Sequence, residues 1–187
     1  MLLLGSKAPG RHVEQHDFFF GIAASLNELL PDIKSFWPEA GNTLHIDGWR
    51  EVSVVDKHKV VISLRSEATN VNTDKKIFFI NLGGYQESKL EEQHYTVLTA
   101  QRDRASASNE AKKLLFYKQN TLKGSALHKG ATSHIDDKYG IDVDDVYQIE
   151  DILSPQQKER YQIDLVEVPD LDADPIHLGY LKLSSLK

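Results

Sequence analysis

The sequence predicts an α+β protein made of two tandem, diverged β-β-α-β-β repeats, with antiparallel or mixed sheets related by a pseudo-two-fold axis. Two observations lead to this fold class. Short apolar runs alternate with one amphipathic helical pattern in each half of the chain, and a set of landmark residues recurs in the same order. A length of 187 residues is sufficient for two small cores.

The landmarks are a Leu-Gly pair followed by Glu-Gln-His, then an aromatic pair, then His-Ile-Asp. The first copies are Leu4-Gly5, Glu14-Gln15-His16, Phe36-Trp37 and His45-Ile46-Asp47, and the second copies are Leu82-Gly83, Glu92-Gln93-His94, Phe116-Tyr117 and His134-Ile135-Asp136. The order is kept while the spacing grows along the chain. This pattern indicates duplication followed by insertions in the loops.

Each element follows from composition and periodicity. Both halves open with an apolar run before glycine, continue with a second apolar run, show helical spacing and end in a hairpin. The opening strands are Leu2–Leu4 and Ile77–Leu82, the second strands Phe18–Ile22 and Tyr95–Thr99, the helices 23–37 and 105–118, and the hairpins Trp49–Val55 with Lys59–Leu64 and Asp145–Ile152 with Tyr161–Val168. The predicted domains are a first repeat at 1–66, a linker at 67–75, a second repeat at 76–168, and a C-terminal tail at 169–187 with a final strand.

Two local signals concern the helices. Pro31 lies inside the first helical pattern, and we expect it to kink or restart that helix. Asp103 or Ser106 is placed to cap the start of the second helix.

Composition disfavours several classes of function. A net charge of -6 argues against a general nucleic-acid role, and the lack of cysteine excludes disulfides, thiolate nucleophiles and Cys-ligated zinc. The apolar start, Met1–Leu4, is too short for a signal peptide, and no window approaches the roughly 18 apolar residues of a membrane span. We therefore expect a cytoplasmic protein that does not enter a membrane.

Three longer stretches carry a family resemblance. They are GRHVEQHD at 10–17, INLGGY at 80–85 and SHIDDKYGIDVDD at 133–145. They resemble the bacterial family called domain of unknown function 1543, and the chain is identified as a two-copy member of it. The resemblance implies a bacterial source and suits the internal duplication. It implies no reaction or site residue, because no activity is established for that family.

The paired Glu-Gln-His motifs are the first candidate site. Glu14 with His16, and Glu92 with His94, combine the two side chains most often used for proton transfer. The structural alternative is that each pair ties down the loop entering the second strand by hydrogen bonds. On that alternative we expect His16 and His94 to be mostly buried and satisfied by a carboxylate or carbonyl.

The paired His-Ile-Asp motifs are the second candidate site. Alternation along a strand places His45 and Asp47 on one face, and likewise His134 and Asp136. An aspartate there would orient an imidazole, or both would hold a metal. Neither copy has a usual ligand spacing, so we expect no metal and no cofactor.

Two function classes remain after these exclusions. The favoured hypothesis is a non-catalytic binding or regulatory module with a protein or small-molecule partner and no nucleic-acid or membrane partner. The alternative is a small acid–base enzyme that uses the Glu/His or His/Asp pairs. Retention of both motifs in both copies favours a role shared by the copies, while the oligomeric state is left open.

Overall fold

The computed structural model describes residues 1–67, 73–85, 90–113 and 141–186, and of Tyr85, Ile141 and Asp142 it describes only the backbone. This part of the chain is α+β, with three antiparallel sheets and few helices. By packing, the chain divides into one compact unit of 1–70 with 152–187 and a second of 71–151. In the described residues no helix is long and apolar enough to cross a membrane.

The described secondary structure consists mainly of strands, with a few short helices between them. The strands are β1 (Leu2–Ser6), β2 (Gln15–Phe19), β3 (His45–Trp49), β4 (Val54–Val55), β5 (His58–Leu64), β6 (Lys76–Tyr85), β7 (Glu92–Gln101), β8 (Ile141–Gln148), β9 (Tyr161–Glu167) and β10 (His177–Lys182). The α-helices are α1 (Leu30–Phe36), α2 (Arg104–Lys113), α3 (Ile149–Ile152) and α4 (Pro155–Arg160), and 3-10 turns cover Asn27–Leu29, Pro38–Thr43 and Leu183–Ser185.

The first unit contains an antiparallel sheet in the order β10-β3-β1-β2. Side chains alternate along β1, so that Leu2 and Leu4 enter the apolar core while Gly5 lies on the opposite face. Ile46 of β3 and Ile33 of α1 are fully buried in the same core. The polar face of this sheet is where the candidate site lies.

The first helix is shorter than the predicted 23–37. Helix α1 begins at Leu30 with Pro31 in its first turn, where the missing N–H costs nothing. Upstream, the buried Gln157 amide holds the backbone of Ile22: its Oε1 accepts the Ile22 N–H at 3.1 Å and its Nε2 donates to the Ile22 carbonyl at 3.3 Å. A side-chain amide has replaced the helical partners of that residue. The expected restart at Pro31 is confirmed, and the extension to residue 23 is wrong.

The first unit also holds a smaller antiparallel sheet, β4-β5-β9. The turn from β4 to β5 uses Asp56 and Lys57 at positive φ (46° and 62°), as tight hairpins require. Strand β9 aligns along the whole of β5, with Ile163 opposite Ile62. Asp174 secures the entrance to this hairpin, because its carboxylate accepts the Ser53 and Val54 N–H groups.

The predicted hairpin of Asp145–Ile152 with Tyr161–Val168 is wrong. Strand β8 ends at Gln148 and pairs with β6, whereas β9 pairs with β5. Helices α3 and α4 separate the two strands, and Ile163 and Leu165 of β9 are buried in the first unit. The compact units thus divide the chain differently from the repeat boundaries, because 152–168 packs with the first unit.

The second unit is a sheet in the order β7-β6-β8 with α2 on one face. Ile80 and Leu82 of β6 pack on Ala107 and Ala111 of the helix, all of them nearly fully buried. Its order matches β2-β1-β3 of the first unit, with the same antiparallel pairings. The duplication itself stays a prediction that this shared order supports. Residues 68–72 of the linker, 114–118 of the predicted second helix, and the landmarks at 116–117 and 134–136 lie outside the described residues.

Asp103 provides a test of how α2 is started. Its Oδ1 accepts the Ser106 N–H at 2.7 Å, and this hydrogen bond holds the pKa of the Asp103 carboxyl below its usual 3.8. A carboxyl whose pKa is lower in the folded state than in the unfolded state stabilises the fold at pH values above the unfolded pKa. This stability is lost as the pH falls through the folded pKa. We expect Asp103→Ala to lower the melting temperature at pH 7 and to have little effect near pH 2. Asp103→Asn, which keeps an acceptor, should retain most of the stability; equal losses for both variants at both pH values would contradict this.

Candidate functional site

A β-bulge in β3 creates the site. Ile46 lies opposite Leu4 of β1 and Gly48 lies opposite Leu3, so Asp47 between them has no partner on β1. The same residue is skipped in the pairing with β10. A bulge re-aims the extra side chain, and here the Asp47 carboxylate lies beside His45.

Gly5 lies at the centre of the cluster of polar side chains. It pairs with His16 of β2 on one side and with His45 of β3 on the other. Residues directly opposite each other across a sheet project on the same face, so both imidazoles flank the bare glycine backbone. A Cβ at Gly5 would lie 2.5 Å from His45 Nε2 and 2.6 Å from Glu14 Oε1, and closer still to Asp47 Oδ2.

Four side chains meet above this glycine, and we call them the first cluster: Glu14, His16, His45 and Asp47. His45 Nε2 lies 2.6 Å from Glu14 Oε1 and 3.3 Å from Asp47 Oδ1. His16 Nε2 lies 3.1 Å from Asp47 Oδ2 and 3.8 Å from Glu14 Oε1. Two carboxylates and two imidazoles are thus directed at one small volume.

The orientation of His45 is set by the backbone. Its Nδ1 donates to the Thr43 carbonyl at 2.8 Å, since a carbonyl can only accept. Nε2 therefore faces the carboxylates, and the side chain is only 6% exposed. Tyr180 of β10 packs against the same ring, with centroids 4.4 Å apart. His45 Nε2 and Asp47 Oδ2 are both buried and make no well-aligned hydrogen bond in the described part of the chain, although each lies within ion-pairing distance of another side chain of the cluster.

The second unit carries a related set that we call the second cluster: Glu92, His94 and Asp144. His94 Nε2 is 3.5 Å from Asp144 Oδ2 and 3.7 Å from Glu92 Oε2. Asp144 is again the extra residue of a bulge, since Val143 pairs with Leu82 and Asp145 with Asn81. Gly83 again lies beneath, and its Cβ would meet Asp144 and Glu92.

The structure brings together the four predicted residues of the first repeat, and Glu92 with His94 in the second. His134 and Asp136 lie outside the described residues. The positions that correspond to His45 and Asp47 in the second unit are Asp142 and Asp144 of β8, because Asp142 pairs with Gly83 as His45 pairs with Gly5.

Sequence reasoning missed Gly5, Gly83, Asp144 and the Thr43 carbonyl as parts of the clusters. The signal was present in Asp142-Val143-Asp144, which repeats the polar-apolar-aspartate pattern of His45-Ile46-Asp47. The expectation that His16 and His94 are mostly buried is wrong, since their side chains are 49% and 50% exposed. Both histidines belong to strands that end their sheets, β2 and β7, where one side has no neighbouring strand in the described part.

Comparison with known proteins finds a family match over part of the chain. Residues 11–62, which contain the whole first cluster, match the family Domain of Unknown Function (DUF1543). This match shows a DUF1543 domain over residues 11–62. It confirms the resemblance drawn from the sequence, whereas the presence of two copies stays a prediction.

The fold is also similar to that of a solved structure. The structure is similar to the crystal structure of a protein Il1583 from Idiomarina loihiensis, with a TM-score of 0.62 and 17% identity over 97% of this chain and 94% of that one. At this identity the likeness shows a shared fold alone. No curated protein matches the sequence.

The different settings of the two histidines predict different costs of removal. His45→Ala should lower the free energy of unfolding by about 1–3 kcal/mol, because the Thr43 carbonyl loses its donor and a buried ring is lost. His16→Ala should cost about 0–1 kcal/mol, as expected for a half-exposed ion pair. Urea unfolding of both variants in the presence of a chelator measures the difference. Equal losses would show that burial does not distinguish the two rings.

Proposed function

We propose that this DUF1543 protein is a non-catalytic binding module whose first cluster takes a cation. The observation that carries the proposal is the surroundings of His45 Nε2. Because Nδ1 donates to the Thr43 carbonyl, Nε2 faces the Glu14 and Asp47 carboxylates, and in the tautomer protonated only at Nδ1 it would present a lone pair to a cation. Among the described residues no Lys or Arg forms an ion pair with either carboxylate.

Electrostatics favours an external positive charge at this point. Two like-charged carboxylates that share a partly buried site repel each other, and partial exclusion of water strengthens the repulsion. The Asp47 side chain is 23% exposed, so solvent screens its charge incompletely, whereas the Glu14 side chain is 41% exposed. A bound cation would remove the repulsion and satisfy the two buried atoms that lack hydrogen bonds.

The second cluster supports the same class of ligand in the second unit. Glu92, His94 and Asp144 again place two carboxylates around an imidazole, above a glycine that leaves room for them. A partner that recognises this chemistry carries positive charge, which agrees with the exclusion of nucleic acid drawn from the net charge of -6.

The alternative function is an acid–base enzyme, and one observation favours it. The His16 ring is half exposed, and its Nε2 lies 3.1 Å from Asp47 Oδ2, so a carboxylate could orient an accessible imidazole. Under this alternative His16 would exchange protons with a substrate. A hydrolysis screen in which the wild-type protein is active and His16→Ala is inactive would favour the enzyme.

The binding proposal is tested by thermal melts of chelator-treated protein with a panel of cations. The panel contains methylammonium, choline and spermidine together with calcium, magnesium, manganese, cobalt and zinc chlorides. At a ligand concentration 100 times the dissociation constant, binding stabilises by about 2.7 kcal/mol, so at least one cation should raise the melting temperature by about 5–10 °C. Glu14→Gln and Asp47→Asn should each remove most of that shift.

Glu167→Gln is the matched control for these variants. It makes the same charge change on an exposed residue of β9 in the same unit, outside both clusters. It should leave the cation-dependent shift unchanged. The proposal fails if no cation in the panel raises the melting temperature, or if Glu167→Gln reduces the shift as much as Glu14→Gln does.

A further inference from the structure

We infer that the first cluster is a site for one divalent first-row transition-metal ion, with His45 Nε2, Glu14 and Asp47 as ligands and His16 at its exposed side. The inference rests on the proposed cation-binding function and names the class of ligand. It departs from the expectation of no metal, which was based on the spacing of residues along the chain. Strand pairing, and not local spacing, assembles these ligands.

The separations between the ligand atoms suit a metal ion. Bonds of about 2.1 Å place neighbouring ligand atoms about 3.0 Å apart in an octahedral site and about 3.4 Å apart in a tetrahedral one. His45 Nε2 to Asp47 Oδ1 is 3.3 Å and His16 Nε2 to Asp47 Oδ2 is 3.1 Å. One atom each from Glu14, His45 and Asp47 lies within 4.8 Å of the others. The 2.6 Å separation between His45 Nε2 and Glu14 Oε1 must lengthen on binding.

The hydrogen bond on the far side of His45 is a second, independent observation. A metal-binding histidine almost always donates its other ring N–H to a carbonyl or carboxylate, which fixes the tautomer and the ring orientation. The Nδ1 donation to the Thr43 carbonyl has this arrangement. It leaves Nε2 to act as the ligand atom, in a side chain of which only 6% is exposed.

The unpartnered atoms point in the same direction. Buried polar atoms are nearly always hydrogen-bonded, and each exception needs an explanation. His45 Nε2 and Asp47 Oδ2 are such exceptions in the described part, although both lie within the cluster. Their position beside other possible ligand atoms, all within 4.8 Å of one another, is what a metal site requires. A proton on Nε2 is the competing explanation, and it would leave the cluster without affinity for metals.

The type of donor selects the class of ion. Imidazole nitrogen with carboxylate oxygen suits zinc, iron, manganese, cobalt or nickel, whereas calcium and magnesium prefer oxygen alone. Gly5 keeps the space for the ion open, because a Cβ at this position would lie among the ligand atoms. Its φ is not positive, so the lack of a side chain and not backbone freedom explains the glycine. The half-exposed His16 leaves one side of the site accessible to an entering ion.

Cobalt(II) is the probe, because its visible absorption reports nitrogen and oxygen ligands directly and needs no enzymatic activity. Chelator-treated full-length protein is titrated with cobalt chloride, and bound metal is counted after desalting. We expect a saturable visible band, about one tight ion per chain, and displacement by zinc. Asp47→Asn and His45→Gln should each weaken cobalt binding at least about 100-fold, as expected for loss of a direct ligand.

Three further variants make the result specific. Gly5→Ala should weaken binding at least about 10-fold while keeping every ligand, because its Cβ occupies the space between them. Glu167→Gln should leave the titration unchanged. Asp144→Asn removes an acid of the second cluster and should also leave the tight site intact. If His45→Gln fails to fold, Asp47→Asn and Gly5→Ala still decide the question.

The inference is overturned if no visible band forms, if Asp47→Asn and Gly5→Ala bind cobalt as the wild type does, or if only Asp144→Asn removes the signal. Its failure differs from failure of the proposed function. Stabilisation by an organic ammonium ion or by calcium that is lost in Glu14→Gln, without any cobalt band, would retain the binding module and remove the transition metal. Absence of stabilisation by every cation would remove both.

Discussion

Asp47 has no partner on β1, and the bulge that results controls how the polar face of the first sheet is arranged. In a regular strand His45 and Asp47 would be two residues apart on one face, separated by a full pleat. In the bulged strand the Asp47 carboxylate lies 3.3 Å from the imidazole. Ile46 can still enter the core opposite Leu4, so the apolar face is not disturbed. Three consecutive residues of the bulged strand therefore serve both faces of the sheet: Ile46 packs in the core, and His45 and Asp47 belong to the cluster.

Gly5 makes the bulge usable, because it removes the side chain that would otherwise fill the centre of the polar face. This arrangement costs free energy, because it leaves buried polar atoms without well-aligned hydrogen bonds. An unsatisfied buried donor or acceptor costs about 1–3 kcal/mol, and His45 Nε2 and Asp47 Oδ2 are two of them among the described residues. The dense apolar packing of Leu4, Ile46 and Ile33 on the other face offsets such a cost in the free protein. A ligand that satisfied both atoms would then recover this free energy on binding.

Much of the fold was predictable from local patterns, and the errors come from long-range pairing. The apolar runs of β1 and β6, the restart at Pro31 and the strand in the tail were all correctly placed, because each depends on neighbouring residues. Strand β9 pairs with β5, about a hundred residues upstream, and nothing local in Tyr161–Glu167 specifies that partner. The first cluster was predicted as two separate pairs, because motif spacing does not show which strands are neighbours. The two pairs meet because Gly5 lies between His16 and His45 in the sheet. In the second unit, matching tripeptides selected His134-Ile135-Asp136, whereas strand pairing selects Asp142 and Asp144.

The strand register of the second unit bears on the argument about symmetry. The two repeats were expected to keep both polar motifs, which favoured one role common to both copies. Glu-Gln-His is kept in equivalent positions, since His16 and His94 each pair with the glycine of the central strand. The buried imidazole is not kept: the position of His45 is taken by Asp142 in the second unit. If the units arose by duplication, they diverged at the position of His45, while the glycine of the central strand and the bulged aspartate were retained.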